Sequence, residues 1–172
     1  VKYLATSCAT GGTCIVGDTG PGGGVVFYVQ ASGGTFTSTG SDCGTACKYF
    51  EAAPRGWGNG IAVQTGETTG SSTVDPKLDW CSDTTTLRNA TTRTAIGDGR
   101  PNTTTGVTCS TGAIFHAELY VVNGKTDWHL PSKDELNQLF INRATVGGFV
   151  SNDYWSSSEV YSLETQYQNF SV

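Results

Sequence analysis

Residues 126–159 read TDWHLPSKDELNQLFINRATVGGFVSNDYWSSSE, and this stretch decides the fold. Ser132 is placed to cap a helix, and Glu135 three residues on completes a capping box. Pro131 before the cap and Leu136 at the fourth helical position suit a hydrophobic staple. Asp134 and Glu135 lie in the first turn, where the helix dipole favours negative charge. Leu136, Leu139 and Phe140 repeat at three and four residues and give one apolar face. The spacing predicts a helix over about 132–142, ended before Gly147 and Gly148. An extended segment begins at Tyr154, with Trp128 and Trp155 as expected core anchors.

Outward from this stretch, Val25–Val29 reads as a strand from its β-branched and aromatic content. Lys48–Ala53 is a second strand, stopped by Pro54. The glycine-rich run Asp18–Gly24 precedes a strand rather than a helix, and no Gly-Lys-Ser/Thr follows. It therefore reads as a tight turn and not a phosphate cradle. Residues 31–46 read as loop, 55–79 as a long irregular insertion, and 83–95 as exposed and Thr-rich. Trp80 and Cys81 are expected to return the insertion to the core. Arg100–Tyr120 is a second helix with Val107, Ile114, Phe115 and Leu119 on one face. Gly106 and Gly112 weaken it by about 1 kcal/mol each, and a break near 109–112 is expected. Tyr154–Ser157 and Gln166–Val172 complete the strands.

The composition suits a loop-rich extracellular domain: 23 Gly, no Met, 15% charged residues and a net charge of −5. With no Lys/Arg cluster, nucleic acid and anionic membranes are poor partners. No apolar run approaches the ~20 residues of a membrane helix. Six cysteines in such a chain read as disulfides formed in an oxidising compartment. They allow 15 pairings, and proximity suggests Cys8–Cys14, Cys43–Cys47 and Cys81–Cys109. Without a C-x-x-C pair, and with neither histidine at ligand spacing, zinc is not expected. Residues 1–14 read as an N-terminal extension and 15–172 as one domain whose last strand is cut short.

Three blocks carry a family resemblance. They are Ile15–Val29 (IVGDTGPGGGVVFYV), Tyr49–Pro54 (YFEAAP), and the run from Trp128 through Leu130–Asn137, Leu139 and Val146–Phe149 to Tyr154–Glu159. Their order resembles a bacterial family with a C-type-lectin-like fold, that of the C-terminal domain of a collagen-like adhesin. Formylglycine-generating enzymes and retroelement-diversified variable proteins are its distant fold relatives. The resemblance implies an α+β, C-type-lectin-like fold: a small twisted antiparallel sheet, two helices, long loops and disulfides.

The same resemblance implies non-catalytic recognition. Its variable face corresponds in position to Tyr161, Ser162, Glu164, Gln166 and Tyr167. Trp57, Tyr161 and Tyr167 also fall in expected loops or exposed strands, where aromatics beside amides suit sugar faces. The catalytic cysteines of the formylglycine-generating relatives lie late in the domain, and no cysteine follows Cys109 here. Two histidines, no G-x-S-x-G and no H-E-x-x-H leave no hydrolytic constellation. The calcium triplets of sugar-binding C-type lectins are absent. Asn152, Asp153 and Glu159 offer a few oxygens toward a structural calcium, which needs six to eight. The expected role is a secreted, cell-surface or virion-surface adhesion module binding a glycan or protein receptor. The alternative is a structural subunit of a filament, appendage or virion decoration that assembles through the 166–172 edge. Asn89, Asn102 and Asn169 match the N-glycosylation pattern.

Overall fold

Local chemistry sets the strands of the N-terminal half. In the computed structural model, which describes residues 7–83, 92–105, 108–161 and 164–171, Val25–Val29 forms β1 and Tyr49–Ala52 forms β2. The two pair antiparallel, with a register shift between Val26 and Tyr28. The extra residue turns both Val26 and Phe27 inward, and both are buried. The Cys8–Cys14 disulfide packs on Val26. Residues 7–14 are thus seated on β1.

The glycine-rich run is a turn, closed by the Gly23 amide donating to the Gly20 carbonyl at 3.0 Å. It also cradles an anion, and that anion is internal. The Gly22 and Gly24 amides donate to the Glu51 carboxylate at 3.1 Å. A Cβ on Gly20 would run into the Glu51 side chain. Burial pushes the Glu51 carboxyl above its usual range, against the pull of those two amides.

The expected helix over Arg100–Tyr120 is two helices, α1 (Gly99–Thr105) and α2 (Ala113–Leu119). Gly112 between them has φ +101, and a Cβ there would sit 2.8 Å from the Cys81 backbone. The amides of Ala113 and Ile114 donate to the carbonyls of Asp79 and Trp80, and Cys81–Cys109 locks the corner. All three disulfides pair as proximity suggested.

The capped helix α3 spans Lys133–Ile141, and its Ser132/Glu135 capping box is complete. One further turn, α4 (Arg143–Val146), follows, and Gly147 and Gly148 end it at φ +70 and +90. Then β3 (Asp153–Tyr161) and β4 (Glu164–Asn169) form an antiparallel pair.

The strands make two separate two-stranded sheets instead of the single sheet expected. Helix α3 touches β1 on one side and β3 and β4 on the other, so it separates the sheets. Asn142 ties it to β1 by donating to the Phe27 carbonyl at 3.0 Å. The fold is therefore α+β with small antiparallel sheets, short helices, long loops and disulfides.

The tryptophan at the centre is Trp80, only 7% exposed, packed with Cys81, Cys109 and Ile114. Trp155 leans on that cluster, half-buried, and donates to the Leu78 carbonyl. Trp128 is half-buried and sits against Tyr120, so it is not the core anchor expected. Phe140, Phe149, Tyr154 and Phe170 form a second aromatic cluster under β4. Residues 55–79 are irregular as expected, held by Trp57 donating to Asp75 at 3.0 Å. Residues 84–91, including Asn89, lie outside the described residues.

Candidate functional site

Capping chemistry positions the site. Glu135 is fully buried at the start of α3. Its Oε2 accepts from the Ser132 amide at 2.9 Å, which is the local cap. Its Oε1 accepts from the amides of Gly97 (2.8 Å) and Gly99 (3.2 Å), far away in the chain. Oε2 also accepts from His129 Nε2 at 3.2 Å.

The other His129 nitrogen faces the Asp127 carbonyl at 3.2 Å, so both ring nitrogens meet acceptors and the imidazolium satisfies both. Burial pulls the His129 pKa down. The hydrogen bond and charge of Glu135, with the Asp127 carbonyl, together outweigh it, so the pKa stands above the ordinary value. Beside this pair, Arg100 donates to Glu118 at 2.6 Å, to the Trp128 carbonyl and to the Gly40 carbonyl. Glu118 is pushed up by burial against the pull of Arg100.

The serine run explains how β3 meets this hub. Between the pairs Trp155↔Tyr167 and Glu159↔Thr165, β3 holds three residues against one on β4. Ser156, Ser157 and Ser158 fill that bulge and are all buried. The Ser157 amide donates to Pro131, Ser158 Oγ accepts the Lys133 amide, and Ser156 accepts the Trp80 indole N–H. Larger side chains would not fit between α1, α3 and Trp80.

What results is a groove of about 360 Å³ between α3 and the β3–β4 hairpin, lined by Lys133, Leu136, Ser156 and residues 165–168. Gln166 and Gln168 project to the α3 face, and Gln168 donates to Asn137 at 3.4 Å. The Tyr167 ring lies on the opposite face, edge-on to Trp155 at 6.0 Å. Tyr167 borders the groove from the strand edge and is 60% exposed. The groove offers amides, a hydroxyl and one ammonium group around a small apolar base.

Of the residues expected at the variable face, Gln166 and Tyr167 meet here. Tyr161 and Glu164 are described through their backbone in β3 and β4, and Ser162 lies outside the described residues. Trp57 is elsewhere: it is half-buried against Tyr120, with its indole on Asp75. Burial raises the Asp75 carboxyl, against hydrogen bonds from Trp57 and Tyr154. Trp57 therefore closes the 55–79 loop and is not an exposed sugar platform.

The oxygens considered for calcium do not converge. Asp153 starts β3 and is engaged by Asn169 at 2.7 Å, and Glu159 lies past the bulge, opposite Thr165 four residues along β4, about 13 Å away at 3.3 Å per residue. Among the described residues no group of three or more His, Cys, Asp and Glu could hold a metal ion. Asn102 is fully buried in α1, so its glycosylation pattern is inaccessible in the fold. The sequence reading missed Lys133, Leu136, Thr165 and Gln168. The apolar face of α3 marked Leu136, but nothing local marked the meeting of α3 with β4.

Among the described residues no helix is long and apolar enough to cross a membrane. Three disulfides fit formation in an oxidising compartment. The chain matches no family model, no curated protein and no solved structure.

Proposed function

We propose that the chain is a non-catalytic extracellular recognition module that binds a glycan through the α3–β4 groove, at a secreted, cell-surface or virion-surface location. The observation that carries this reading is the groove itself: Gln166, Gln168, Thr165 and Lys133 present hydrogen-bonding groups on a scaffold fixed by the buried Glu135 hub. Loops and edges displayed on a rigid frame are where recognition concentrates. Planar amides beside a hydroxyl and an ammonium group suit sugar hydroxyls. The resemblance to C-type-lectin-like domains supports the same reading, and that fold family displays its binding face on the corresponding segment.

The test is a glycan array probed with wild type, Gln166→Ala and Lys133→Ala. Each variant is expected to lose about tenfold in affinity, the equivalent of about 1.4 kcal/mol, with unchanged melting. Retention by a protein receptor in place of glycans, or binding that both variants leave intact, overturns the reading. A second reading, a structural subunit of a surface assembly, is favoured by the outer edge of β4, which pairs with no strand among the described residues.

A further inference from the structure

The fold treats the two sides of the β3–β4 sheet differently. Beside β3 the chain supplies its own partners: Trp80 on the Ser156 carbonyl at 2.8 Å, Pro131 on the Ser157 amide at 2.7 Å, and Leu78 on the Trp155 indole at 2.9 Å. Along the outer edge of β4 no described segment pairs.

The ladder shows which groups face outward there. The Phe170 amide donates to the Asn152 carbonyl at 2.9 Å, which makes 152 and 170 a bonded pair. The register Asp153↔Asn169, Tyr154↔Gln168, Trp155↔Tyr167 continues from it. Bonded and non-bonded pairs alternate in an antiparallel ladder. Gln168 thus turns its backbone groups toward β3, and Tyr167 and Asn169 turn theirs outward. Thr165 continues the alternation. Exposed edges are ordinarily blocked by lysine, proline or an inward charge. The run Thr165–Ser171 (TQYQNFS) carries none of these, although the chain as a whole has a net charge of −5.

We propose that the outer edge of β4 pairs antiparallel with β4 of a second copy, about a twofold axis at Tyr167. Tyr167 then lies opposite its counterpart and Thr165 opposite Asn169 of the second copy, so every residue with outward backbone groups meets another. The tyrosine rings, exposed in one copy, become a cross-strand aromatic pair. Glu164 falls opposite Phe170, so the two Glu164 positions stand at opposite ends of the new ladder. Among the described residues the β3–β4 sheet has one open edge, because at Ser156 and Ser157 β3 is flanked by its own chain. Pairing uses both open edges and stops at a dimer. A filament is not its product. The axis is perpendicular to the sheet, so both α3–β4 grooves lie side by side on one face. If the groove binds a glycan as proposed above, a repeating glycan engages both and gains avidity; the pairing itself does not depend on that reading.

Sedimentation equilibrium without any ligand tests the proposal, from micromolar to millimolar protein. The mass is expected to rise from 18.1 kDa toward twice that value. Tyr167→Lys sets two ammonium groups opposite each other at the axis. Asn169→Pro removes an outward amide and spares the backbone bonds to β3, while giving up the exposed side-chain bond to Asp153. Each is expected to weaken the dimer about tenfold or more, with melting near wild type for Tyr167→Lys. A monomer at all concentrations, an open-ended polymer, or a dimer indifferent to both substitutions overturns it. Loss of glycan binding with the dimer intact would count against the groove alone.

Discussion

Replacing Glu135 by Gln should reverse the sign of the protein's pH dependence near neutrality. The carboxylate is fully buried and accepts from Gly97, Gly99, Ser132 and His129. Glu135→Ala would strand three buried amides at about 1–3 kcal/mol each. It would also break a buried ion pair, at about 3–5 kcal/mol. Even allowing for non-additivity, that approaches the whole stability of an ordinary domain, about 5–15 kcal/mol, so the alanine variant is not expected to fold.

Glutamine keeps the shape. Its carbonyl still accepts from Gly97 and Gly99, but its amide now faces two donors. The Ser132 amide stays unmet, at about 1–3 kcal/mol. The His129 conflict disappears if Nε2 loses its proton and accepts from the new amide, while Nδ1 still donates to Asp127. In the wild type the His129 pKa is raised, because Glu135 and the Asp127 carbonyl together outweigh burial. The stability this pair contributes is therefore fully present below about pH 6.5, the unfolded value, and lost as pH rises through the folded value. In the variant, the neutral ring is favoured, and that contribution is lost as pH falls instead. One proton limits either slope to about 1.4 kcal/mol per pH unit. Urea unfolding followed by tryptophan fluorescence, across about pH 5.5–8.5 around the histidine range, gives both curves. Their difference isolates the pair from other titrating groups. Parallel curves would refute the reasoning.

Removing Cys81–Cys109, which closes a separation of 28 residues, is expected to cost about 3–4 kcal/mol by the chain-entropy relation. Cys43–Cys47, with a separation of 4, should cost about 2 kcal/mol. Denaturant midpoints of the paired serine variants check the order, and an equal loss in both would contradict it. Gly97→Ala should destabilise by at least about 2 kcal/mol. Its φ is +96 and an added Cβ would run into the Thr37 carbonyl oxygen. Thermal melting reads this directly, and a shift no larger than that of Gly60→Ala, where the space is open, would argue against the close approach.

What the sequence reveals here is what is decided within a few residues. The α3 capping box, the β1 run and the short-range disulfides are such features. The corner at Gly112 depends on the Cys81 backbone, so periodicity over 100–120 could register a weak helix but not its bend. Trp80, Trp128 and Trp155 are equally apolar in sequence. Only the approach of α2 and the serine bulge selects Trp80 for burial. The glycine-rich run shows the same limit: its glycines announce a turn, while its ligand, the Glu51 carboxylate, comes from the neighbouring strand.

Glu135 joins the two levels in one side chain. Its Oε2 completes the cap that the Ser-x-x-Glu spacing foretells, and its Oε1 holds Gly97 and Gly99, which no local pattern connects to it. The loop over 93–99 is thereby fixed on the start of α3, with Ser132 Oγ donating to Ala95 and the Asp134 amide to Thr94. Ser158 Oγ, bonded to the Arg93 carbonyl and the Lys133 amide, carries the same constraint into β3. The groove therefore owes its shape to a capping glutamate that does not line it. Substituting Gln166 or the side chain of Lys133 should leave the frame standing, because α3 is held against the hairpin by Ser158 Oγ on the Lys133 backbone amide and by the Glu135 cap.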